Sequence, residues 1–414
     1  VRFPILLWLA GVLCAQPAQE FLRQASAHKA KGDVAGALEV IEQGLKKNPK
    51  SAELEDEAGF LLAVMGKRGE AMERFERAVA MNPGYAPAQY HLGVARWLAE
   101  DRKAALEPLE TAVRLAPRSF DYLFRLGEAL LALEEYGKAG AHLRKAVELS
   151  PKHAEAWTRL GLAMQRQGDR ESAIEAYRKA IQADPKALDA RNHLGFLLIE
   201  SGKADQGLAQ FEKILAIDPK HEAARINTGY ALLQKGDIDG AVRHYSNLME
   251  TDSGSPVVHY NLGLALKQKD DLEEAGKALR RAIELDPQLS EAHYTLGIVC
   301  WQLGQFEDTA RHTRAAIAIR PEYAEAHYML GIALKQNGEL AGAIAALKEA
   351  IRLNPDTPGP YNMLGQIYRQ QGEMEASQRA FADGARVKRK KEAEQKVMFD
   401  RSVAETVGPA ARKQ

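Results

Sequence analysis

Apolar residues along this chain come in short bursts at helical spacing. Ala156, Leu160, Ala163 and Met164 form one burst, and Ala173, Ile174, Tyr177 and Ile181 form the next. Each set marks one side of a helix, because residues three and four apart share a face. A polar break carrying Gly168 separates the two bursts, and Asp184-Pro185 follows the second. Glycine supplies the left-handed residue that ends a helix. Proline disfavours a helical residue before it and so closes the second helix. The pattern predicts a pair of short helices that is marginal alone and gains its stability by stacking on neighbours.

The same pattern returns along the whole chain. Pro49, Pro83, Pro117, Pro151, Pro185, Pro219, Pro287, Pro321 and Pro355 are spaced by 34 residues, with one interval of 68 that passes over Ser253. Gly59, Gly93, Gly127, Gly161, Gly195, Gly229, Gly263, Gly297, Gly331 and Gly365 keep the same interval. With the proline numbered position 32, eleven units begin at residues 18, 52, 86, 120, 154, 188, 222, 256, 290, 324 and 358 and cover 18–391. Position 7 is usually leucine, position 15 usually glycine, position 20 small, position 24 large and apolar, and position 27 mostly alanine. Small residues at positions 8, 20 and 27 let two helices approach, and position 24 fills the gap. The unit with Trp157, Leu160, Gly161, Ala173, Tyr177 and Pro185 resembles the tetratricopeptide repeat, W-x2-L-G-x2-Y…A-x3-F…P. The resemblance implies an all-α fold, a right-handed superhelical solenoid of stacked antiparallel helix pairs. It is specific for fold and unspecific for function.

Irregular units suggest how the array is divided. The first unit has Gln24 and Ala25 at positions 7 and 8 and reads as a cap. The seventh has Thr228 at position 7, Leu248 at position 27 and Ser253 for proline. The segment Thr251 to Pro256 is therefore an expected seam, with repeats 1–7 over 18–255 and repeats 8–11 over 256–391. Pro108 falls inside a second helix, where it removes one hydrogen bond and is expected to kink it. Residues 392–414 read as a basic extension of the last helix and a tail. From Ala385 onward the net charge is +5, against −6 for the rest of the chain without Arg2.

Composition narrows the classes of function. Lysine plus arginine equals aspartate plus glutamate at 56 each, which argues against a dedicated nucleic-acid binder. Residues 3–13 are apolar and follow Arg2, which fits a secretory signal peptide over 1–15 rather than a membrane span of about 20 residues. Val1 fits a GTG start codon, hence a bacterial source and a periplasmic or envelope location. Leu13 before Cys14 makes a poor lipidation signal. A chain cut after Ala15 keeps one thiol, Cys300, at a core position.

No nucleotide-binding, nucleophile-elbow or metalloprotease motif occurs, and the repeats leave no second domain, so no enzyme and no cofactor are expected. His259, His293 and His327 share position 4. Neighbouring helices lie about 8–10 Å apart, too far for one zinc ion to bridge them, so these rings are expected to pack. In the family this chain resembles, first helices line a concave groove. That resemblance places Tyr90, Phe124, Tyr260, Tyr294 and Tyr328 at its position 5, Phe196 and Tyr230 at position 9, and Trp97, Trp301, Lys267 and Lys335 at position 12. Aromatic rings offer contact area with a polar handle, so these residues are the expected groove for a protein or extended peptide. The family's carboxylate clamp, lysine at position 5 with asparagine at position 9, is missing from every unit. Its asparagine ladder at position 6 shrinks to Asn227 and Asn261. Two further functions fit the same aromatics: a polysaccharide-handling subunit of an envelope export machine, and a glycosyltransferase regulatory arm without its catalytic domain.

Overall fold

A computed structural model of the chain describes residues 18–251 and 254–406. The signal-peptide segment with Cys14, residues 252 and 253 of the expected seam, and the end of the tail past residue 406 lie outside the described residues. Every regular element among the described residues is an α-helix, and the helices come in pairs that match the predicted repeats. Helix α1 covers residues 18–29 and pairs with α2 (Val34–Lys47). Then come α3 (Ala52–Val64) with α4 (Arg68–Met81), α5 (Ala86–Leu98) with α6 (Arg102–Leu115), and α7 (Phe120–Ala132) with α8 (Tyr136–Leu149). They are followed by α9 (Ala154–Arg166) with α10 (Arg170–Ala183), and α11 (Leu188–Glu200) with α12 (Ala204–Ile217). Next are α13 (Glu222–Lys235) with α14 (Ile238–Thr251), α15 (Pro256–Gln268) with α16 (Leu272–Leu285), and α17 (Ser290–Gln302) with α18 (Phe306–Ile319). The last pairs are α19 (Ala324–Gln336) with α20 (Leu340–Leu353), and α21 (Pro358–Gln370) with α22 (Met374–Thr406).

The close approach expected at position 8 is present. A Cβ on Gly161 would lie 2.6 Å from Cε1 of Tyr177, the residue at position 24 of the same repeat. Tyr177 is fully buried, and its hydroxyl donates to Gln165 at 2.8 Å. The turn between paired helices uses the left-handed conformation at position 15. Eight glycines adopt it there, and Glu100, Glu134 and Asp270 are forced into it at φ 64°, 63° and 67°.

Junctions between repeats are tied by the side chain at position 4. Gln89, Trp157, Arg191, His327 and Tyr361 each donate to the carbonyl of the proline six residues earlier, at 2.9–3.2 Å. His327 thus does the work that Trp157 does in its own repeat. Pro108 is buried inside a continuous α6. Its missing N–H leaves the Ala104 carbonyl without its helical donor, and Arg96 from α5 donates to that oxygen at 3.3 Å.

The chain divides into two compact units, up to Pro219 and from Lys220. The division falls one repeat before the expected seam. Tyr245 and Leu248 on α14 and Val258 and Leu262 on α15 share one buried cluster across that seam. Cys300 is buried in the same cluster, and burial pushes its thiol pKa up. Among the described residues no helix is long and apolar enough to cross a membrane.

Candidate binding face

Within each unit the first helices touch the first helices of neighbouring repeats: α3 with α5, α5 with α7 and α7 with α9, and likewise α15 with α17 and α17 with α19. Among the described residues no second helix touches another repeat's second helix. First helices therefore build a continuous face, and the outward-pointing residues at positions 2, 5, 6, 9, 12 and 13 belong to it.

In the first unit this face holds a cavity of about 320 Å³ lined by Trp97 on α5, Arg125, Glu128, Leu131 and Ala132 on α7, and Arg159 and Leu162 on α9. Glu128 is the electrostatic centre. Its carboxylate accepts from Arg125 at 3.0 Å and lies 3.3 Å from Nε of Arg159, which also meets Glu155 at 3.1 Å. The Nε atoms of Arg125 and Arg159 are buried and make no hydrogen bond. The Arg102 guanidinium lies 5.5 Å from the centre of the Trp97 ring. Sequence reasoning named Trp97 but not Arg125, Glu128 or Arg159. The signal was available: position 6 carries arginine in two successive repeats, with glutamate three residues on from Arg125. A larger cavity of about 400 Å³ lies over Trp157 and Met164, between α8 and α10. It occupies the gap left where second helices stand apart, and of its charged residues, Arg144, Glu148 and Glu175, two are acidic.

The other expected groove residues divide by how much neighbouring repeats already use them. Tyr90 stacks on Tyr122 at 4.7 Å, and Phe124 stacks on Phe120 at 5.5 Å and meets His153 at 5.2 Å. Phe196 and Tyr230 are half-buried, each with contacts of its own. Tyr260 shares a hydrogen bond with Thr295 in the next repeat, Tyr294 lies 4.8 Å from Tyr323, and the Tyr328 hydroxyl sits where a side chain on Gly359 would be. Tyr260 and Tyr328 thus lean on the following repeat, and Tyr294 leans on the turn that closes its own. Lys335 donates to Gln366 at 2.7 Å, Lys267 is half-buried, and Trp301 is 41% exposed.

Position 4 also faces position 23 of its own repeat. Arg74 donates to Glu55 at 3.0 Å, Arg191 to Gln210 at 3.3 Å and His244 to the Arg225 carbonyl at 2.7 Å. In the ninth repeat the partners are His293 and His312, whose Nδ1 atoms are 3.4 Å apart. His293 also bonds the Pro287 carbonyl, and burial pushes its pKa down. Burial first, then Arg311 and His293, pushes the His312 pKa down to about 4. Among the described residues no three histidine, cysteine or carboxylate side chains gather as metal ligands would.

Repeat-family models decide what this architecture is. Models described as "TPR repeat" and "Tetratricopeptide repeat" together match residues 57–260, 265–304 and 333–391. The chain belongs to the tetratricopeptide repeat family. No curated protein matches it. Among solved structures it is similar to YrrB, "a TPR protein with an unusual peptide-binding site". That likeness has 24% identity, covers 45% of this chain and 97% of the other, and has a TM-score of 0.43. It is also similar to MamA from Desulfovibrio magneticus RS-1, at 24% identity over 41% of this chain and 97% of the other, with a TM-score of 0.39.

Proposed function

We propose that this tetratricopeptide repeat protein is a non-enzymatic scaffold whose first-helix face holds an extended peptide segment of a partner protein. The cavity around Trp97, Arg125, Glu128 and Arg159 carries this reading. Two guanidinium groups offer ten N–H donors between them, and one shared carboxylate cannot use them all. A partner carboxylate or main-chain carbonyl can take the remainder, while Trp97, Leu131 and Leu162 cover an apolar neighbour. The peptide selected should therefore pair an acidic residue with an apolar one.

The test is a selection from a random peptide library on the full chain, with counter-selection on the Trp97→Ala, Arg125→Ala, Arg159→Ala triple variant. Enrichment of acidic-apolar peptides that the variant releases is the expected result. Peptides held equally by both proteins would place binding elsewhere. The oligosaccharide alternative rests on the exposed ring of Trp301. We also infer export from the apolar segment 3–13, which N-terminal sequencing of native protein would check by finding the new end near Gln16.

A further inference from the structure

A second site is built on the first-helix side of the ninth repeat, in the second unit, independent of the cavity around Trp97. It starts from an anomaly at position 31. Repeats 1–8 and 10 carry Asn, Asp, Ala or Ser there, the eleventh has Lys388 inside its long last helix, and the ninth carries Arg320 at a turn that leads into another repeat. Where the residue is Asn82, Asp184, Asp286 or Asn354, its side chain accepts from the amide two residues on and fastens the turn before the next repeat. Arginine has no acceptor and gives that bond up. A residue that breaks a local structural rule marks a place where function competes with folding.

Arg320 makes two other contacts instead. Its guanidinium carbon lies 3.5 Å from the centre of the Tyr323 ring, and its Nη1 donates to Glu291 at 2.9 Å. Tyr294 flanks Tyr323 at 4.8 Å. The Tyr323 phenol is pushed up to about 12, chiefly by burial, and Tyr294, Glu291 and Tyr260 are all near enough to add to the shift. An aromatic ring face beside a carboxylate is the setting that receives organic cations.

We propose that Tyr294, Tyr323 and Glu291 form a receiving site for an arginine side chain of a partner, and that Arg320 occupies it in the free protein as a displaceable resident. The resident can leave. Arg320 and Glu291 are 44% and 41% exposed, and ion pairs at that exposure are weak. A partner's guanidinium would lie over Tyr323, bond Glu291 and release Arg320 to water. A resident that fills the site about nine-tenths of the time lowers the apparent affinity for an external guanidinium about tenfold.

The experiment places 3-fluorotyrosine at position 323 and titrates the full chain with N-acetylarginine amide, followed by the ¹⁹F resonance. The key variant is Arg320→Asn, which restores the residue that the next repeat carries at Asn354 and so keeps the turn. The expected result is a saturable shift in Arg320→Asn at about tenfold lower ligand concentration than in the natural chain, lost when Glu291→Gln is added. N-acetylcitrulline amide, of the same shape without the charge, should leave the resonance in place. Equal midpoints in the natural chain and Arg320→Asn, or a citrulline shift equal to the arginine shift, would overturn the proposal. So would no saturable shift in an Arg320→Asn protein whose circular dichroism is unchanged. Since the cavity around Trp97 plays no part, failure of either site leaves the other standing.

Discussion

Single residues carry the local cost of keeping the 34-residue period. Position 15 must be left-handed in every repeat, and Glu100, Glu134 and Asp270 pay no attention to that preference of glycine. A side chain in this conformation costs roughly 1–2 kcal/mol, partly returned because glycine gains freedom in the unfolded chain. Replacing all three by glycine should raise stability by about 2 kcal/mol in sum, read as a higher urea midpoint with an unchanged slope. Position 15 was legible in the sequence because eight glycines mark it. The pairing of positions 4 and 23 was not. It sits between two helices of one repeat and is made by Arg74 with Glu55, Arg191 with Gln210 and His312 with His293, so neither position keeps one residue type.

At the scale of elements, α5 and α6 show how one defect is covered by a neighbour. Pro108 strips the Ala104 carbonyl of its donor, and Arg96 supplies one. Removing Arg96 should cost about 1 kcal/mol, the usual price of an unmade hydrogen bond, and less once Pro108→Ala restores the backbone donor. A double-mutant cycle from chemical denaturation measures the coupling, and additive single effects would show that the contact is idle. The sequence announced the proline and led to the expectation of a kink. Helix α6 instead runs on through Leu115, with the orphan oxygen answered from outside the helix. The face made by first helices was legible in the same sense. Its positions follow from period and family resemblance, but its chemistry depends on which side chains neighbouring repeats consume. Tyr260 and Tyr328 are turned onto the next repeat, while Arg125 and Arg159 converge with Trp97 on a cavity.

For the whole molecule, buried imidazoles set the response to acid. The pKa values of His142, His193, His244, His293 and His312 are all held below the ordinary 6.5, with burial the largest cause in each. The unfolded chain binds these protons first, so stability is full above the ordinary range and falls as pH drops from 6.5 toward the folded values, about 4 for His312. Denaturation midpoints should fall over that window, and His312→Gln should flatten the fall. A midpoint that holds steady between pH 7 and 4.5, a range we choose from the shifted values, would contradict it. At five joints the proline at position 32 is answered by position 4 of the following repeat, and because that donor can be glutamine, tryptophan, arginine, histidine or tyrosine, these joints do not depend on one residue type. A gene for such a chain can lengthen or shorten by whole repeats and rebuild the same joint wherever position 4 brings a donor, whereas a change of any other length moves that donor out of register with the carbonyl.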